Sequence, residues 1–74
     1  MTKRDALIED AKRAGYTVEA HEGRLDIFKL DGRTGNFSKG IRIHEDGTCN
    51  RLDIDLAVAT NLRTYADRRA ALSL

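Results

Sequence analysis

His44 and Cys49 are the side chains whose types come nearest to chemistry, because imidazole and thiolate serve as base and nucleophile and both ligate zinc. They flank Asp46-Gly47 in "GIRIHEDGTCNRLDI", and Asp-Gly between alternating apolar residues is a strong hairpin signal. A two-residue loop there sets Ile43 opposite Asn50 and Ile41 opposite Leu52. His44 and Cys49 then form a directly opposed, non-hydrogen-bonded pair on the other face, with Arg42, Arg51 and Asp53.

That pair falls short of a working site. Zinc needs more than two ligands, His21 lies at a different turn, and the chain has one cysteine, so no metal or cofactor is expected. Catalysis is not expected either. An open sheet face gives Cys49 neither an oxyanion hole nor exclusion of water, and Ser38 sits in a loop without a nucleophile elbow. Asp53 and Asp55 resemble a carboxylate pair, but their place at a strand-to-helix junction makes them N-cap candidates. "GRTGNFSKG" (32–40) carries Gly32, Gly35 and Gly40 with Arg33 and Lys39. It lacks phosphate-loop spacing and reads as a flexible connector.

These residues must be positioned by hairpins and helices. "TKRDALIEDAKRAG" reads as a helix capped by Thr2 with Asp5 and ended at Gly15, with Leu7, Ile8, Ala11 and Ala14 on its apolar stripe. "YTVEAHEGRLDIFKL" alternates with period two around Glu22-Gly23, pairing Ala20 with Leu25 and Val18 with Ile27. The polar face receives Thr17, Glu19, His21, Arg24 and Asp26, and Phe28 and Leu30 join them. A bulge near Lys29 would instead return Phe28 to the core. "DLAVATNLRTYADRRAALSL" reads as an amphipathic helix with Val58, Leu62, Tyr65, Ala66 and Leu72 inward. Thr60, Arg63, Thr64, Asp67 and Arg68 fall on its far side, and Arg69 snorkels off the stripe.

The resulting expectation is an α+β fold of order α-β-β-β-β-α, a four-stranded antiparallel meander with both helices on one face. A helix on each face would have to bury Arg24, Asp26, Arg42 and Arg51. Seventy-four residues suffice for a single domain spanning 1–74 that buries roughly 60% of its unfolded surface, and there is no internal repeat or linker. The composition, 41% hydrophobic and 34% charged, is that of an ordinary globular domain.

Thirteen basic residues against twelve acidic ones do not advertise nucleic acid or an anionic membrane. One cysteine, no signal peptide and no long apolar run predict a reducing, cytoplasmic location without membrane association. A chain starting at an initiator methionine, with one domain and no catalytic set, is expected to act by occupying a partner. The reading is a small non-enzymatic protein-interaction module, an inhibitor or adaptor of a larger machine. By analogy only, proteins of this size occur in phages and mobile elements, where they block host enzymes such as RNA polymerase or defence complexes.

The expected contact residues are Arg24, Phe28, Leu30, Arg33, Lys39, Arg42, His44 and Arg51, with Arg63, Asp67 and Arg68 of the last helix as the alternative surface. The alternative function is nucleic-acid binding through Arg33, Lys39, Arg42 and Arg51, helped by Arg63, Arg68 and Arg69. Against it, Phe28 is the one aromatic assigned to this face, and Glu19, Asp26 and Asp53 repel phosphate. A monomer or a weak homodimer formed by strand addition is expected.

Overall fold

The structure, a computed structural model, describes residues 2–52 and 61–74. The chain runs α1 (Lys3–Arg13), β1 (Thr17–His21), β2 (Arg24–Leu30), β3 (Phe37–His44), β4 (Cys49–Arg51), α2 (Tyr65–Ala71). The four strands form an antiparallel sheet in sequential order β1-β2-β3-β4. This is the meander that the alternating hairpins require.

Both ends of α1 follow from local chemistry. The Thr2 hydroxyl accepts the Asp5 N–H at 3.0 Å, occupying an amide that the first helical turn leaves unpaired. At the other end Gly15 takes φ 89°, which lets Gly15 N–H reach Lys12 O and Tyr16 N–H reach Ala11 O. Those two bonds make a Schellman closure, and they aim the chain directly into β1.

The first hairpin has the expected register, with Val18 opposite Ile27, Ala20 opposite Leu25 and His21 opposite Arg24. Its apolar side meets that of β3, where Leu25 faces Ile43 and Ile27 faces Ile41. Leu7 and Ala11 from α1, Tyr16, Leu62 and Leu72 close over these residues, and Leu7, Ala11, Ile27 and Ile41 are fully buried. Both helices thus lie on one face of the sheet. Tyr16 ties the layers together, since its hydroxyl donates to Leu72 O while Lys29 Nζ lies 4.5 Å from its ring centre.

The second hairpin departs from the expected register, and the cause is its turn. Gly47 N–H donates to His44 O, and His44 N–H to Thr48 O at 2.8 Å. These bonds close a three-residue loop, Glu45-Asp46-Gly47, in which Gly47 alone has positive φ (90°). A type I turn followed by a left-handed glycine is the usual three-residue hairpin. A two-residue Asp-Gly turn would need positive φ at Asp46 as well. Asp46 is held otherwise, because its carboxylate accepts both the N–H and the hydroxyl of Thr48. One extra loop residue reverses every side chain that follows. Cys49 pairs with Ile43, Asn50 with Arg42 and Arg51 with Ile41, so Cys49 and Arg51 turn toward the helices, and Asn50 and Leu52 away from them.

The last helix is also shorter than expected. Thr64 caps it by accepting the Asp67 N–H at 3.0 Å, and Asn61 and Leu62 before it are extended, Asn61 bridging Asn50 and Leu62 N–H donating to Cys49 O at 2.7 Å. The cap candidates Asp53 and Asp55, together with Val58 and Thr60, lie outside the described residues. Ala66, expected inward, is exposed, because starting the helix at Tyr65 rotates the face that meets the sheet. Arg69 does not merely snorkel; its guanidinium pairs with Asp10 of α1 at 2.8 Å.

Candidate partner-binding face

Alternation along the four strands leaves one sheet face uncovered by α1 and α2. It carries Glu19 and His21 from β1, Arg24, Asp26 and Phe28 from β2, Gly40, Arg42 and His44 from β3, and Asn50 from β4. The face divides into a charged half near the hairpin tips and an apolar half at the opposite end.

Asp26 organises the charged half. Its carboxylate accepts two hydrogen bonds from Arg42, at 2.8 and 3.1 Å, with Arg24 at 3.8 Å and His21 at 3.9 Å. Three cationic or protonatable side chains close over it, and it is only 6% exposed although it points away from the helices. The hydrogen bonds to the Asp26 carboxylate hold the Arg42 guanidinium protonated beyond its usual range. Beside them the His44 ring bonds the Asn50 side-chain carbonyl, and the Asn50 amide donates to Arg51 O at 3.0 Å.

The apolar half is built by a β-bulge. Lys29 pairs with Lys39, but Leu30 pairs with Phe37, so Ser38 is the extra residue on β3 and its hydroxyl donates to Lys29 O at 3.3 Å. The bulge anticipated near Lys29 is therefore present, but its consequence differs: Phe28 stays on the uncovered face, and Phe37 is turned onto it. The two rings meet edge to face with centroids 5.3 Å apart, a favourable arrangement of aromatic quadrupoles. Gly40 allows Phe28 and Leu52 to close over the strand between them. A Cβ at this position would lie 3.1 Å from Phe28 Cβ and 3.2 Å from Leu52 Cβ. At the rim, Leu30 is 56% and Phe37 41% exposed.

The expected contact residues are thus only partly gathered. Arg24, Phe28, Leu30, Arg42 and His44 belong to this face or its rim. Arg33 is in the exposed 31–36 connection, which is a bonded turn rather than a loose connector: Asp31 accepts Gly35 N–H on its carbonyl and Arg33 N–H on its carboxylate, and Asp31 N–H donates to Asn36 O. Lys39 lies in β3, not in a loop, and its ammonium reaches Ser73 beside α2. Arg51 has turned to the helix side with Cys49, so the opposed His44–Cys49 pair does not exist. Cys49 is 1% exposed, and burial pushes its thiol up to about 11.

The alternative surface on the last helix is also divided. Arg63 and Asp67 are exposed, but Arg68 is 6% exposed. Its guanidinium donates to Leu62 O at 3.0 Å and to Gly47 O at 2.9 Å, stacked 4.8 Å from the Tyr65 ring centre. It is a buried strut between the second hairpin turn and α2, because the late helix start turns it inward.

Phe37, Leu52 and Asn50 are the members of the face that strand alternation does not predict. Extending the β3 pattern backward puts Phe37 with Ile41 and Ile43, and the two-residue loop puts Leu52 and Asn50 in the core. "GNFSKG" carries no signal for which residue is the extra one. Among the described residues no group of three or more His, Cys, Asp or Glu is placed to hold a metal ion, and no helix is long and apolar enough to cross a membrane. No protein-family model matches the chain, and neither a curated protein nor a solved structure is significantly similar to it.

Proposed function

We propose that the protein is a non-enzymatic interaction module, an inhibitor or adaptor, that binds another protein through its uncovered sheet face. The observation that carries this reading is the Phe28–Phe37 pair with Leu30 at its rim, set beside the Asp26–Arg42 network on the same surface. Aromatic residues bordered by partly desolvated arginine are the composition of interface hot spots, where single truncations cost about 2 kcal/mol or more. The folded chain already supplies these side chains in fixed positions, which lowers the entropy lost on binding.

The positions of the basic residues give nucleic acid less support. Arg42 is neutralised by Asp26, and Lys39, Arg51 and Arg68 point toward the helix layer. A phosphate-tracking groove needs a continuous row of unpaired cations.

Affinity capture from the native host decides between these readings when the tagged wild type is compared with Phe37→Ser and Leu30→Ser, with and without nuclease. Both side chains are exposed enough to change without loss of the core. A protein partner should survive nuclease and high salt with the wild type and disappear with both variants at unchanged melting temperature. Capture that both variants retain removes the apolar half as the contact. Capture abolished by nuclease transfers the function to nucleic acid.

A further inference from the structure

The two edges of the sheet are not equivalent. On β4 the outward carbonyl of Cys49 is occupied by Leu62 N–H, and Asn50 bridges Asn61. On β1 no described backbone group pairs with the outer edge. Gly23 O accepts the Glu45 N–H on the β3 side, and peptide groups alternate sides along a strand. Arg24 and Asp26 therefore bond toward β1 through His21 and Glu19, which leaves the N–H and C=O of Val18 and Ala20 directed outward. The strand, "TVEAH", has no proline, lysine or bulge to protect it. Natural sheets usually carry such protection on a free edge.

We propose that this edge pairs with β1 of a second copy of the chain, antiparallel across a two-fold axis at Ala20. Three registers are compatible with the outward-facing groups, and their side chains discriminate among them. Centring on Glu19 opposes Glu19 to Glu19 of the second copy. Centring on Val18 calls on the N–H of Tyr16, which is already donated to Ala11 O. Centring on Ala20 forms two backbone bonds at the axis and sets Glu19 opposite His21 of the second copy, twice, in the closer non-hydrogen-bonded geometry.

These two side chains are already complementary within one chain, His21 Nε2 lying 3.3 Å from Glu19 Oε2 with both side chains substantially exposed. Pairing adds a second carboxylate–imidazole contact to each. The two sheets become one continuous eight-stranded sheet. Because the axis is perpendicular to it, both uncovered faces point the same way, so a dimer presents its apolar patches in duplicate on one surface.

Sedimentation of the whole chain from about 10 µM to about 1 mM, the range of a weak association, tests the register. The wild type, 8.3 kDa as a monomer, should approach twice that mass at the upper end. Glu19→Arg opposes arginine to histidine, and His21→Glu opposes two carboxylates, so each variant alone should stay monomeric. Mixed in equal amounts, the two should recover the doubled mass. The arginine introduced in one variant then faces the glutamate introduced in the other, and the native His21 and Glu19 meet at the second contact; recovery also shows that both variants fold. A wild type that stays monomeric throughout, variants that still dimerise alone, or a mixture that fails to recover each overturns the proposal.

Discussion

Cys49 shows how far one residue's chemistry depends on which side of a strand it occupies. On the uncovered face it would be a solvent-facing thiol beside His44; against Ile43 it is a small core residue whose thiolate is disfavoured by burial. We expect labelling by a thiol reagent near pH 8 to be far slower in the folded protein than in urea, as read by mass spectrometry. The same burial makes stability fall in alkali. A thiol raised from 9.0 to about 11 on folding binds its proton more tightly in the native state, so its contribution is intact below about pH 9 and is lost as pH rises toward 11. Melting temperatures measured across that window should decline more steeply than in Cys49→Ala, which removes the titrating group.

At the scale of the element, the Glu45-Asp46-Gly47 loop decides the face of every β4 side chain. Deleting Thr48 with the three-residue loop kept sets Cys49 opposite His44 and reverses β4, placing Asn50 and Leu52 against the helices and Cys49 and Arg51 outside. The reversal buries the Asn50 amide without its His44 and Arg51 partners, and an unsatisfied polar group in a core costs about 1–3 kcal/mol. A fall in urea midpoint together with rapid labelling of Cys49 is the expected outcome. Lost stability with Cys49 still protected would mean that the strand kept its register and the loop strained instead. Gly47→Val should itself destabilise the hairpin by about 1–3 kcal/mol, since φ 90° excludes a β-branched residue. Gly35 also has positive φ, 73°, so Gly35→Ala is not the neutral comparison that a flexible connector would have made it.

Across the whole molecule, the helix layer is fastened to the sheet by a few long-range polar contacts at its end. Tyr16 follows α1, yet its hydroxyl reaches Leu72 O after α2, and Lys39 reaches Ser73. Tyr16→Phe keeps the ring and its contact with Lys29 but leaves the Leu72 carbonyl without this donor. A loss of about 1 kcal/mol is expected, measured by denaturant unfolding, with amide exchange accelerated around Leu72 to Leu74 more than in β2. The Asp10–Arg69 pair joins the two helices more weakly. Both side chains are more than a third exposed, and such pairs contribute about 0–1 kcal/mol.

The element order, the first hairpin's register and the α1 caps were legible in the chain because each rests on local rules: period-two alternation, Thr2 before Asp5, and glycine where φ must be positive. Both helices on one face also followed, since Arg24, Asp26 and Arg42 leave only one side of the sheet fit to bury. What tertiary structure decided were matters of parity and of distant partners. Whether Asp46-Gly47 closes a two- or a three-residue loop depends on small differences in turn geometry, yet it exchanges Cys49 and Arg51 with Asn50 and Leu52. The bulge at Ser38 turns Phe37 outward by the same rule. Arg68 reads as a surface residue in any helical pattern; it is buried because the Leu62 and Gly47 carbonyls, far apart in sequence, converge to accept its guanidinium.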